Sequence, residues 1–283
     1  STMGCRTYSS WDINAPDEAH SHIKDGRGNI APATVILPTL AMEAKKKALK
    51  DDKAEFIVDY FMDILDKAIG DCKDELLERF DWICSQSPAS ADFMYRNQTF
   101  FSYGKEFEEE GIRGVLKHGT LAIGQLGMAE CLQILVGCDH TEAKGMELAK
   151  KIEQMFMEKC KAYKEHYKLN FGVYYTPAES LCYTAMQKFQ KKYGKIPNVS
   201  EKEYFTNSIH VPVWKEISPF EKIDIESELT GYSSAGCITY VELDGSAKHN
   251  IEALETLVNY AMNKDIPYFA INIPNDTCMD CGY

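Results

Sequence analysis

Apolar residues recur at helical spacing through Ile57, Phe61, Ile64, Leu65 and Ala68, which predicts a helix from about 54 to 84. A second stripe, Leu148, Ile152, Met155, Phe156, Tyr163 and Tyr167, predicts a longer helix from about Thr141 to Leu169. Asp139 and Glu142 are spaced to cap its start. Between these lie segments of another kind. Thr34 to Pro38 reads as a short strand running into a helix around Leu40 to Lys50. Gly119 to Gly127 is small-residue and strand-like, and a helix follows over Met128 to Val136. Phe171 to Tyr175 alternates as a strand does, and the next helix opens near Thr176 and runs to about Tyr193. A strand over Ile238 to Leu243, a helix over Ile251 to Met262 and a strand over Tyr268 to Ile273 complete the pattern. Strands alternate with helices, with no internal repeat. The fold class is therefore α/β, barrel-like or layered, with parallel strands joined by crossover helices.

Composition narrows the function. The 283 residues are 45% apolar and 26% charged, as in a packed protein. Acidic residues number 43 against 31 basic ones, a formal charge of −12. That balance disfavours a nucleic-acid coat, which needs clustered Lys and Arg. No apolar run reaches the ~18 residues of a membrane span, and no signal peptide is visible. The expectation is a cytoplasmic enzyme with neither nucleic acid nor membrane as partner. Of ten cysteines, seven are scattered singly (Cys72, Cys84, Cys131, Cys138, Cys160, Cys182 and Cys237) and predict reduced, mostly buried thiols.

Four places could carry chemistry. Cys5 stands in Met3-Gly4-Cys5-Arg6; it is either an activated cysteine beside a cation or one more loop thiol. Gly26-Arg27-Gly28-Asn29 is either a tight turn or a place where backbone approaches a ligand while Asn29 offers a donor and an acceptor. Thr176-Pro177-Ala178-Glu179-Ser180 starts a helix. If Thr176 and Glu179 cap each other it is structural; if not, the helix start is an anion site. Cys278 and Cys281 form a CxxC that resembles half of a zinc ribbon. No spacing of histidines suggests a metal, and His20 and His22 sit in a polar loop.

Taken in order, these segments resemble the class III anaerobic ribonucleoside-triphosphate reductases, glycyl-radical enzymes that make deoxynucleotides without oxygen. The resemblance runs the length of the chain. It rests on Met3-Gly4-Cys5-Arg6, on Gly26-Arg27-Gly28-Asn29-Ile30 leading into Val35-Ile36-Leu37-Pro38, and on Leu116-Lys117-His118-Gly119-Thr120-Leu121-Ala122-Ile123-Gly124. It continues through Tyr175-Thr176-Pro177-Ala178-Glu179, Thr206-Asn207-Ser208-Ile209-His210-Val211-Pro212 and Cys278-Met279-Asp280-Cys281-Gly282-Tyr283.

The resemblance implies part of a ten-stranded α/β barrel with a finger loop inside, over residues 1–275, and the start of a zinc-ribbon and glycyl-radical domain over 276–283. It implies that Cys5 is the thiyl carrier at the loop tip and that Asn29 binds the ribose hydroxyls. Met3 resembles the branch that uses formate as reductant. Thr176, Pro177, Ala178, Glu179 and Ser180 would meet the substrate triphosphate, and Cys278 and Cys281 would be half of a structural zinc site. The radical glycine, installed by an S-adenosylmethionine/iron–sulfur activase, lies outside this sequence, as do the family's ATP-cone and second zinc CxxC. The expectation is an incomplete fragment, inactive alone, of an enzyme that is a homodimer when complete. Two other readings compete. One is a formate acetyltransferase-like enzyme, which lacks the terminal knuckle; the other is a non-catalytic zinc-binding interaction protein.

Overall fold

The computed structural model describes residues 6–97, 99–100, 102–245, 247, 250–264 and 266–273. A short helix α1 (Glu18–Ser21) precedes strand β1 (Asn29–Ile36), which passes straight into α2 (Leu37–Lys50). Pro38 sits in the first turn of α2, where its missing N–H costs nothing. A 3-10 turn at Ala54–Phe56 leads into α3 (Ile57–Cys84), so the α-helix starts at the first residue of its apolar stripe rather than near 54. Three short helices, α4 (Asp92–Arg96), α5 (Glu106–Glu110) and α6 (Ile112–Leu116), return the chain to β2 (Thr120–Leu126). Then come α7 (Met128–Val136), α8 (Ala143–Tyr167), β3 (Asn170–Tyr174) and α9 (Glu179–Tyr193). The chain ends with α10 (Pro219–Thr230), β4 (Thr239–Glu242), α11 (Ile251–Asn263) and β5 (Phe269–Asn272).

Strands β1, β2 and β3 form a parallel sheet in that order, and β4 pairs with β5 in parallel. A parallel bridge between Tyr174 and Gly236 links the edge of the first sheet to the segment that enters β4. The expected parallel pairs with helical crossovers are present. A ten-stranded barrel is not; the described residues carry these two small sheets. Helix α10 went unforeseen, although Ser218 and Glu221 form a complete capping box at its start. Among the described residues no helix is long and apolar enough to cross a membrane.

The two faces of the first sheet differ. Ala31, Ala33 and Val35 of β1, Leu121 and Ile123 of β2, and Phe171 and Val173 of β3 face the helices. They pack with Phe61, Leu65, Ile69, Leu76 and Phe80, one stripe of α3, and with Ile152 and Phe156 of α8. A smaller core of Ile223, Val241, Leu257 and Ala261 lies between α10, β4 and α11. The inner face is lined by small residues, Ala122, Gly124 and Gly172, so other chain can approach it closely. A Cβ on Gly172 would stand 2.9 Å from the Ala235 Cβ, and Ala122, Tyr174 and Ala235 form a tiny buried cluster there.

Asn29 reaches that inner face because of a β-bulge. Pairing runs Asn29 with Thr120, then Ala31 with Leu121, so Ile30 is the extra residue. Side chains alternate along a strand, and one extra residue reverses the alternation. Without the bulge Asn29 would share the helix-facing side with Ala31. With it, the Asn29 amide donates to the Ala235 carbonyl at 3.1 Å. In a flat sheet the two would stand about three strand spacings apart, ~14 Å. The bond forms because the sheet curls and 233–236 folds over its inner face.

Candidate functional site

The residues that follow Cys5 thread this concave face. Tyr8 N–H donates to the same Ala235 carbonyl, at 3.0 Å, that accepts from Asn29. Gly236 lets the backbone pass, since a Cβ there would stand 1.9 Å from the Arg6 carbonyl oxygen. Its φ of 142° is one that side-chain-bearing residues rarely adopt.

Further along, the chain is clamped to the strand-start end of the sheet. Asp12 is buried, with Oδ2 2.7 Å from His118 Nδ1 and Oδ1 accepting from Asn170 Nδ2 at 2.8 Å. The other His118 nitrogen is 2.8 Å from Glu106. Ile13 N–H donates to Asn170 Oδ1, and the Arg27 guanidinium donates to the carbonyls of Ser10, Ile23 and His118. Lys164 reaches the Trp11 carbonyl; burial pulls its ammonium down to about 8. Burial alone would raise Asp12, but its bonds to His118, Asn170 and the Asn14 N–H hold it below the usual carboxylate value.

Gly26 to Asn29 form the expected turn and carry Asn29 to the inner face. Gly26 has φ 71° and Arg27 N–H closes a turn onto Lys24. Asn29 is fully buried, and its Oδ1 has no partner among the described residues. An aligned buried amide with a vacant acceptor fits a ligand hydroxyl.

At the strand-finish end lies a cavity of about 450 Å³, bordered by Arg6, Glu179, Asn207, His210, Lys222 and Tyr240 among others. Ligands of open α/β sheets commonly settle at the carboxyl ends of strands. Here the capping question is decided. Helix α9 has Ala178 as N-cap with no side-chain cap, so of the two readings the Thr176–Glu179 capping pair does not form. The Thr176 hydroxyl is instead 3.0 Å from that of Thr34, passing above Gly124, where a Cβ would be 2.0 Å away. Asn207 caps from a distance, accepting from Ala178 N–H at 2.7 Å. The first-turn donors of Glu179, Ser180 and Leu181 have no intrahelical partners. Glu179 holds φ at 22°, a strained value for a residue with a side chain. Pro177 is half-buried and Ser180 exposed. Asp139 likewise does not cap α8, whose N-cap is Glu142; Asp139 binds Thr141 and Lys215.

Segment 205–211 knits this end together. Thr206 donates through N–H and hydroxyl to the buried Glu130 of α7, whose carboxyl burial pushes up to about 7. Ser208 donates to the Thr176 carbonyl at 2.8 Å. His210 Nδ1 lies 3.2 Å from Glu226 of α10, which also accepts Val211 N–H. Burial opposes the Glu226 charge, but the His210 ring, Lys222 and that N–H hold it low. Cys182 also lines the cavity, and burial raises its thiol to about 11.

The seven scattered cysteines are free thiols. Met3, Cys5, Cys278 and Cys281 lie outside the described residues. Among the described residues no cluster of three or more His, Cys, Asp and Glu side chains could hold a metal. Arg6, Asn207 and His210, which line the cavity, and Glu226, which meets His210, were not among the candidate residues read from the sequence. Arg6 entered the sequence reading only as a cation beside Cys5, Asn207 and His210 only within a longer run, and the Ser218–Glu221 box is the signal that locates α10 and hence Glu226.

The family model for anaerobic ribonucleoside-triphosphate reductase matches residues 1–283. The chain belongs to this reductase family. The anaerobic ribonucleoside-triphosphate reductase of enterobacteria phage T4 is 32% identical over 285 residues, covering 100% of this chain and 43% of the phage protein. The Escherichia coli K12 reductase is 28% identical over 291 residues, covering 99% of this chain and 38% of its own length. The chain thus spans about two fifths of these reductases. The anaerobic ribonucleotide reductase of Thermotoga maritima, in a crystal structure with dATP in its specificity site, superposes with a TM-score of 0.66 at 18% identity. It covers 90% of this chain and 39% of its own, so the reductases share this fold.

Proposed function

We propose that this chain is the radical-cysteine part of the catalytic barrel of an anaerobic ribonucleoside-triphosphate reductase. The substrates are ribonucleoside triphosphates, the products deoxyribonucleoside triphosphates, and formate the reductant. The observation that carries this is the paired grip of Asn29 and Tyr8 on the Ala235 carbonyl. It sets a buried amide with a vacant oxygen beside the chain that leads from Cys5. Family membership supplies the reaction, and the Thermotoga reductase, solved with dATP and CTP, is a relative in which nucleotides are seen bound.

In this reading Cys5 gives its sulfur-bound hydrogen to the glycyl radical, which a radical S-adenosylmethionine activase installs elsewhere in the complete protein. The Cys5 thiyl then takes the 3′ hydrogen of the ribose, and the 2′ hydroxyl takes up a proton and departs as water. Formate supplies two electrons and a proton as it becomes carbon dioxide, and Cys5 returns the hydrogen to the 3′ carbon. Asn29 Oδ1 accepts from a ribose hydroxyl and orients it. The uncapped start of α9, over Thr176 to Ser180, offers N–H donors to the triphosphate. Met3, two residues before Cys5, is the feature that points to formate as the reductant. The concave face excludes water from the radical. Residues 1–275 form the barrel part, and 276–283 open a zinc ribbon in which Cys278 and Cys281 supply two of four ligands. The complete enzyme is a cytoplasmic homodimer that also binds ATP.

Cys5→Ser in the complete, activated enzyme tests the proposal. Serine keeps the size, but its O–H bond is too strong for a glycyl radical to break. Electron paramagnetic resonance should still show the glycyl radical, nucleotide should still bind, and chromatography should find no deoxynucleotide. Deoxynucleotide made at more than a trace removes Cys5 from the mechanism.

A further inference from the structure

Arg6 is 5% exposed, yet two of its guanidinium nitrogens, Nε and Nη1, have no hydrogen-bond partner among the described residues. The third lies 3.5 Å from the Tyr240 hydroxyl, at the limit of a hydrogen bond, and the group stands 5.2 Å from the Tyr240 ring centre. Guanidinium stays charged at any ordinary pH. A charge removed from water is normally paired or bound to something. Glu179 and Glu242 line the same cavity, but neither bonds to those two nitrogens. His210 lines it too, and its Nε2 is also buried without a partner while Nδ1 engages Glu226. Lys222 adds a third basic side chain to the wall.

We infer that Arg6 is the anion-recognising side chain of this cavity and that its ligand is the phosphate chain of a nucleotide, with His210 beside it. The inference rests on the proposed function and names the recognition device within that site. Size separates two oxyanion sources. A cavity of about 450 Å³ suits a ligand with many heavy atoms rather than formate with three. The first turn of α9 borders the same space through Glu179, so helix donors and guanidinium converge on one ligand. Arg6 directly follows Cys5. Phosphate binding therefore bears on the same backbone that carries the radical sulfur, and Gly236 holds that backbone against the sheet.

The test uses the complete enzyme with Arg6→Gln and Arg6→Lys, both long side chains that still donate. Binding of CTP and of cytidine is measured for each. Glutamine should weaken CTP roughly 10- to 100-fold, the range for a hydrogen bond to a charged group, and leave cytidine unchanged. Lysine should fall between. Inorganic tripolyphosphate should compete with CTP on the wild type and not on Arg6→Gln. Equal losses for CTP and cytidine would make Arg6 merely structural, and no loss for either would overturn the inference. A change confined to the KM for formate would assign the site to a carboxylate and overturn it as well. Should the glutamine variant unfold, the lysine variant decides by the same criterion. A wild type that binds triphosphate but reduces none refutes the proposed function and spares this inference. Normal reduction and CTP binding by Arg6→Gln refutes the inference alone.

Discussion

At the strand-start end of the sheet, buried Asp12, His118 and Asn170 and half-buried Glu106 form a chain in which each side chain answers another. At the strand-finish end, Arg6 and His210 face a cavity with nitrogens that nothing described answers. Both ends bury charge under the same three strands. The first end turns most of its polar groups on the protein itself, leaving Arg27 Nη2 over, and they clamp residues 10–14. The second leaves groups unmatched, which costs stability unless a ligand supplies the match. Substitutions should therefore separate stability from turnover according to the end they touch.

The sharpest break is expected from Asp12→Ala. It strands His118, Asn170 and the Asn14 N–H together. Removing one partner of a buried charged network typically costs about 3–5 kcal/mol. Denaturant unfolding should show that loss; a cost below ~1 kcal/mol would mean the clamp is no scaffold.

A pH effect of intermediate size should come from the helix-facing side. Glu153 is fully buried, and Gln125 donates to one of its oxygens. Burial pushes its carboxyl up to about 8, against an unfolded value near 4.3. The folded state therefore holds the proton more tightly. The stabilisation is complete below the unfolded value and is lost as pH rises through about 8. Thermal melts should fall over that window, and Glu153→Gln should flatten the profile. A wild-type profile rising across the same window would reverse the assignment.

The smallest stability effect falls on Asn29→Ala, which removes one hydrogen bond from a carbonyl that Tyr8 still serves. About 1 kcal/mol is expected, with turnover reduced far more. A loss above ~2 kcal/mol with turnover intact would move Asn29 from the site to the scaffold.

Legibility in the sequence followed the same division. Helix α7 and the stripes of α3 and α8 were readable because burying an apolar face is a local periodic demand. The alternation of strands and helices gave the parallel pairing for the same reason. The starts of α8 and α9 differ from the sequence reading. Thr176 and Asp139 are good capping residues, but capping is one bond competing with others. Thr34 claims the Thr176 hydroxyl across Gly124, and Lys215 and Thr141 claim Asp139. Those rivals stand 142, 76 and 2 residues away in sequence, and only the last is within reach of a local pattern.

What the chain alone determined is thus its class of fold, its outward-facing core and its membership of a family, all written in residue type and spacing. The tertiary structure decided which way Asn29 faces, because one bulged residue at Ile30 reverses the alternation without altering composition. It also decided that α9 begins without a side-chain cap from its own N-cap residue and that Arg6 is buried with no ion pair among the described residues. Whether a polar group is satisfied depends on neighbours that only folding brings within 3 Å or so.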